Sequence, residues 1–194
     1  MNNDLKEFYE YMKSGKPVED NSKIIGMFHQ FSQDAMKITM ELNTKYHTPD
    51  EITEIFSKLT EKEVDKSFRL FPPFYTDCGK NITVGKNVFI NSCCHFQDQG
   101  GIFIDDNVFI GHNVVFATLN HDENPLNRKV MHPKSIKIGK NVWIGSNVTI
   151  LPGITIEDGA IIGAGSVVTK NVHKNCVVAG NPIKIIRYIE TEEK

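Results

Sequence analysis

Little in this chain points to a membrane, a redox site or a polyanion. No uninterrupted apolar run approaches the ~20 residues needed to span a bilayer, and the opening Met-Asn-Asn-Asp-Leu-Lys-Glu lacks the apolar stretch of a secretory signal. A cytoplasmic location is the resulting expectation. Cysteine is sparse: Cys78, Cys93, Cys94 and Cys176 form no CxxC pair, and adjacent Cys93 and Cys94 are badly placed for a structural bridge. Reduced thiols are expected, with Cys94 a small apolar filler pointing inward. Charge of one sign is also missing. Twenty-two basic residues against 24 acidic ones give no general attraction to nucleic acid or to an anionic surface.

What the chain does have is a period. Aliphatic residues recur every six positions at Ile138, Ile144, Ile150, Ile156, Ile162 and Val168, with Ile136, Val142, Val148, Ile154, Ala160 and Ser166 two places ahead of each. Gly139, Gly145 and Gly163 follow three of them, and Asn141, Asn147, Gly153, Gly159, Gly165 and Asn171 sit three places on. The rhythm also runs through Val84, Ile90 and Phe96, slips by two residues, and resumes at Ile104, Ile110 and Phe116. Neither an α-helix nor an alternating strand has a period of six. Short flat strands turning corners at small residues do, so the expected fold is mainly β, a parallel β-helix of hexapeptide repeats. Three hexapeptides close one triangular coil, which stacks residues 18 apart: Ile144 over Ile162 and Ser146 over Ala164.

Ahead of the repeats the pattern is helical. Leu5, Phe8, Tyr9 and Met12 make one stripe, and Ile24, Ile25, Phe28, Phe31, Ala35, Ile38 and Leu42 a second. Thr48-Pro49-Asp50-Glu51 supplies an N-cap, a proline at the first helical position and a capping-box glutamate for a third helix through Ile52, Ile55, Phe56 and Leu59. The expected organisation is a helical segment over 1–70, a β-helix over 71–182 and a tail over 183–194. A solenoid needs covered ends, and the helices are placed to cover one.

The repeats break from about Ala117 to Ser135, in a stretch holding Asn120-His121-Asp122. An imidazole titrating near ~6.5 takes a proton at neutral pH. His121 is therefore the candidate base, on a protruding loop.

The run from Phe74 to Arg187 resembles the hexapeptide-repeat acyltransferases, and within them the galactoside and maltose O-acetyltransferase group. The segments that carry the likeness are Tyr75 to Gly79, Asn120-His121-Asp122, Ile138 to Ser146 (IGKNVWIGS), Ile150 to Ile156 (ILPGITI), Ile162 to Lys170 (IGAGSVVTK) and Gly180-Asn181-Pro182. Met12 to Lys16 and Asp20 extend it into the helices. The resemblance implies a left-handed β-helix and acetyl-CoA as co-substrate, with no metal. It also implies a homotrimer with active sites between subunits, to which outward Phe89, Phe103, Phe109 and Trp143 would lend apolar faces.

O-acetylation needs a base for the acceptor hydroxyl, a hold on the thioester and a donor for the oxyanion. The resemblance gives His121 the first role and Asn91 the last, or a contact to the acceptor sugar. It puts Trp143 in the active-site wall, where an indole packs on pantetheine or a sugar face. Ser146 and Ala164 match the groove for the pantetheine arm, and Thr169, Lys170, Lys184 and Arg187 the end that meets nucleotide phosphates. Asp20, Asp77 and Met131 match the acceptor pocket. Two departures bear on sugar choice: a carboxylate that contacts sugar in galactoside enzymes falls at Asp98-Gln99, and the loop after His121 is shorter. The expected reaction is direct transfer from acetyl-CoA to a sugar hydroxyl, without an acyl-enzyme. Other readings are acetylation of an antibiotic or another hydroxylated molecule, a sugar-binding β-helix without catalysis, and a metal-dependent carbonic anhydrase using His95, His112 and His121. The spacings of these three histidines do not resemble that last family's ligand pattern.

Overall fold

The computed structural model describes residues 3–190; Thr191 to Lys194, in the expected tail, lie outside the described residues. Three faces of a prism alternate along the chain. The first holds Arg69–Leu70, Phe89–Ile90, Phe109–Ile110, Trp143–Ile144, Ile161–Ile162 and Cys176–Ala179, all parallel, with Lys184–Tyr188 added antiparallel at the end. The second face holds Phe74–Thr76, Cys94–Gln97, Val115–Ala117, Thr149–Ile150 and Val167–Val168. The third holds Ile82–Val84, Ile102–Ile104, Ile136–Ile138 and Thr155–Ile156. This is the parallel β-helix that the period predicts.

The register follows the six-residue pattern. Ile144 pairs with Ile162 and Ile150 with Val168, and both members of each inward pair, such as Val142 and Ile144, are buried. Corners fall where small or left-handed-tolerant residues stand: Asn141, Asn147, Gly153, Gly159 and Gly165 all have positive φ. Asn171 breaks the set. Its side chain instead accepts a hydrogen bond from the Thr155 amide of the coil below. Along the second face, Phe74 meets Phe96 edge to face and Phe96 meets Phe116 at a tilt, with centroids 5.0 Å and 4.4 Å apart.

The slip after Phe96 has a twin. Phe96 pairs with Thr76 and Ile104 with Val84, so the first coil carries the same two extra residues at the same corner. Thr76 is a buried polar rung, which hid it from an aliphatic count. Successive coils thus bulge at one edge, between faces two and three: at Asp77–Asn81, at Gln97–Gly101, and then at the long excursion after Ala117.

Helix α1 spans Asn3–Ser14, α2 Lys23–Thr44 and α3 Pro49–Thr60, the last with the full Thr48–Glu51 capping box. Leu42, Phe56 and Leu59 share one core with Phe68, Phe74 and the coils, which closes the open apolar end of the prism. Phe8, Met12, Phe28 and Phe31 form a second cluster with Cys78, at the bulged edge. A buried polar junction fixes the helices there. The Lys62 ammonium donates to the Lys80 and Ile82 carbonyls, and the Tyr9 hydroxyl to that of Lys80. Burial lowers the Lys62 pKa, with the charge of Asp98 acting the other way.

Phe96→Ala removes the middle ring of this aromatic column from a site only 1% exposed. The expected cost is ~3–5 kcal/mol in urea unfolding, and a loss below about 1 kcal/mol would mean that the aromatic column does not bear on stability.

Candidate active site

The excursion after Ala117 is a β-hairpin. Leu119–His121 pairs antiparallel with Met131–Pro133, opposing His121 to Met131. Its tip is wound by two successive side-chain turns: Asp122 accepts from the Asn124 amide, and Asn124 from the Leu126 amide. This winding brings the Arg128 carbonyl to 2.7 Å from His121 Nδ1. A carbonyl only accepts, so Nδ1 carries the hydrogen and Nε2 presents a lone pair. The ring is exposed, as a base that meets a diffusing substrate must be.

A clasp holds the hairpin on its other side. His132 Nε2 lies 2.9 Å from Asp122 Oδ2, one residue beyond His121. The His132 side chain, then the Asn124 amide, hold the Asp122 carboxyl below the usual carboxylate range. That contribution is present above the ordinary carboxylate pKa and fades as pH falls through the lowered value.

The N-terminal segment docks on the hairpin. Val18 and Met131 exchange both backbone hydrogen bonds, at 2.7 and 3.0 Å, and Asp20 pairs with Lys129 at 3.0 Å. Met131 and Leu119 pack on the cluster containing Cys78, which brings Asp77 to the same edge. Asp77 keeps solvent contact, yet desolvation raises its pKa, with the Gln99 amide at 3.3 Å working the other way. His121, Met131, Asp20 and Asp77 are therefore gathered by one chain.

Asp98 does not join that group. It is fully buried and accepts from the Thr76 hydroxyl and from the amides of Cys78, Gly79 and Asn81. Burial pushes its pKa up against these four donors. The carboxylate expected at Asp98-Gln99 to meet sugar is spent on shaping the corner that carries Asp77, and the residue facing Asp77 is Gln99.

Asn91 stands elsewhere. With Phe89, Phe109, Gly111 and Trp143 it lines a cleft of about 380 Å³ on the first face, which no hairpin residue enters. Its Oδ1 accepts from the Ser92 amide at 2.9 Å, leaving the Nδ2 hydrogens to donate outward. Trp143 is 55% exposed. Ser146 and Ala164 stand at the corner between faces one and two, in successive coils, with Ser146 Oγ accepting from the His112 amide. Lys184 and Arg187 lie exposed on the terminal strand of face one. Thr169 and Lys170 follow Val168 and so fall on the opposite, bulged edge.

The candidate residues thus form two half-sites on opposite edges of face two. A four-residue strand such as Cys94–Gln97 separates them by ~13 Å at ~3.3 Å per residue. Two larger cavities, of about 560 and 840 Å³, open on face three; the second reaches Pro133 at the hairpin base.

Residues 135–170 match the family described as bacterial transferase hexapeptide (six repeats). A predicted acetyltransferase of Staphylococcus aureus strain Mu50 is 42% identical over 161 residues, covering 81% of this chain and 80% of the relative. The chain belongs to the hexapeptide-repeat acetyltransferases. Among solved structures, a maltose O-acetyltransferase from Clostridium difficile 630 superposes with a TM-score of 0.85 at 37% identity, over 94% of this chain and 97% of that one. A galactoside acetyltransferase in complex with coenzyme A gives 0.82 at 31% identity, over 94% and 91%.

Within this acetyltransferase three of the four thiols are poor candidates for nucleophiles, Cys93 alone being exposed. Cys78, Cys94 and Cys176 are buried, and burial pushes Cys94 up to about 11. Among the described residues no group of three or more His, Cys, Asp or Glu side chains is placed to hold a metal ion.

His132→Ala opens the clasp without touching His121. The expected result is a fall in kcat of ~10-fold or more, with KM for the acetyl donor within about twofold. Unchanged kcat in steady-state kinetics would remove the clasp from catalysis.

Proposed function

We propose that this acetyltransferase moves the acetyl group of acetyl-CoA to a hydroxyl of a sugar of the maltose, glucose or galactoside type. The observation that carries the reading is His121, locked through Nδ1 to the Arg128 carbonyl with Nε2 presented outward. Met131 opposes it across the hairpin and Asp20 pairs with Lys129 of the same hairpin; with Asp77 at the neighbouring bulge, these residues would hold the acceptor. The likeness to maltose and galactoside enzymes supports the sugar, and the coenzyme A bound to the galactoside enzyme supports the donor.

In this reaction His121 Nε2 takes the proton of the acceptor hydroxyl, and the oxygen attacks the thioester carbonyl carbon. The Asn91 amide donates to the tetrahedral oxyanion. Collapse breaks the carbon–sulfur bond, the acetyl ester leaves on the sugar, and the proton passes from His121 to the departing thiolate. Asp20 and Asp77 accept from other sugar hydroxyls. Trp143 flanks the pantetheine arm beside Ser146 and Ala164, while Thr169, Lys170, Lys184 and Arg187 meet the nucleotide end.

The separation of the half-sites supports a homotrimer with its sites between subunits. A rotation that sets the Asn91 edge of one copy against the hairpin edge of the next completes a site at each boundary, and a closed ring leaves none unpaired.

Two experiments test this. Thiol release from acetyl-CoA with glucose, maltose and galactosides should fall by about a thousandfold in His121→Ala. Equal turnover by wild type and variant would remove His121 from its role. His121→Ala and Asn91→Ala subunits, each inactive alone, should regain about a quarter of wild-type activity when co-assembled in equal amounts, since one boundary in four joins two intact halves. No recovery in assembled trimers would place each whole site within a single subunit.

A further inference from the structure

Along the edge between faces one and two, the residue two places after each inward aliphatic belongs to a column. It runs through Ser92, His112, Ser146 and Ala164, one per coil, because Ile90, Ile110, Ile144 and Ile162 pair in register. His112 is the exception among small residues, an exposed imidazole that the reaction above does not use. The neighbouring column is Asn91, Gly111, Gly145 and Gly163. A Cβ at Gly111 would stand 2.6 Å from the Ser146 amide nitrogen, and one at Gly145 2.7 Å from that of Ala164, so this strip stays bare. Phe89, Phe109 and Trp143 line its other side. A flat strip thus runs parallel to the prism axis, with rings along one side, Asn91 at one end and His112 on the open side.

The His112 ring leans along that axis toward the next coil. Ser146 Oγ accepts from the His112 amide at 3.2 Å and lies 3.5 Å from Nδ1. With the serine hydrogen turned to Nδ1, the ring hydrogen sits on Nε2, a donor with no protein acceptor among the described residues.

We propose that His112 is a binding residue for the acetyl donor: Nε2–H donates to the carbonyl of the cysteamine amide of pantetheine, which sets the thioester one coil further on, at Asn91. The proposal rests on the reading that the pantetheine arm lies along Ser146 and Ala164. Spacing carries it. Coils repeat at ~4.8 Å. The β-alanine unit between the two pantetheine amides is one methylene longer than a peptide residue of ~3.5 Å, so these amides also stand ~4.8 Å apart. An arm with its second amide at the Ser146 coil therefore has its first at the His112 coil. The two carbons of cysteamine then carry the sulfur to the Asn91 coil, where the oxyanion forms. His112 shares its edge with Asn91 and Ser146, so in the proposed trimer it lies at the boundary that holds the donor.

Binding, measured separately from turnover, decides the matter. Calorimetric titration uses CoA and adenosine 3′,5′-bisphosphate, which has a nucleotide end but no arm. His112→Ala should bind CoA about fivefold more weakly than wild type and the bisphosphate equally well. His112→Gln, which restores an N–H donor, should recover most of the loss. Unchanged CoA affinity in His112→Ala, or a loss shared equally by the bisphosphate, overturns the assignment. Ala164→Phe fills the strip and should weaken CoA but not the bisphosphate; if it leaves CoA binding intact, the groove itself is misplaced and His112 with it. If His121→Ala transfers acetyl at the wild-type rate while His112→Ala shows its selective loss, the assigned base fails and the donor contact stands.

Discussion

A strand in this prism gives its backbone N–H and C=O groups to the coils above and below, so extra residues leave the chain only at a corner. Everything distinctive about the molecule follows from that constraint. The Ile144–Ile162 and Ile150–Val168 pairs tolerate no insertion, because a shift by one residue would turn each inward side chain out. Insertions accumulate instead at the edge between faces two and three. There the first two coils bulge by two residues and the third extends a hairpin. The hairpin half of the proposed site is built where the repeat permits irregularity.

Irregularity at a corner needs its own stabilisation, since each bulge frees backbone amides from the ladder. Asp98 takes up three of them together with the Thr76 hydroxyl. Lys62 and Tyr9 answer the freed Lys80 and Ile82 carbonyls from the helical side. A buried carboxylate and a half-buried ammonium are thus retained at one junction, each satisfied chiefly by backbone dipoles. Replacing either by an apolar residue would leave those dipoles orphaned, a larger loss than the missing charge itself. The helices are accordingly part of the site's foundation as well as a cover for the end of the solenoid.

The repeat, its corners and the three helices were legible in the sequence because each is a local pattern: a period of six, residues that tolerate positive φ, a capping box. The first bulge was not, since its rung is Thr76 and a polar rung is invisible to an aliphatic count. Asp98 and Gln99 look interchangeable as letters; burial under the amides of the preceding coil separates them, and no local signal announces that. His121 stood out as a lone histidine in an interruption. The contact that orients it does not stand out at all, because its partner is the backbone carbonyl of Arg128. Any residue there supplies the same atom. What composition can signal is the winding that brings the carbonyl close, through Asp122 and Asn124.

The split between the two half-sites has the same origin as the hairpin. The cleft beside Asn91 and Trp143 is shallow and has one wall, and the hairpin that carries His121 stands at the other edge of face two. Two prisms set side by side supply a second wall, from the flat coils of the next copy. A base carried on the prism itself would remain on its own side of that boundary. Carried on a hairpin from the adjoining edge, it extends beyond the prism surface to where a second wall stands. In the proposed trimer, assembly and catalysis are joined: the protrusion that a repeat admits only at its corner would also be the device by which one copy completes the site of another.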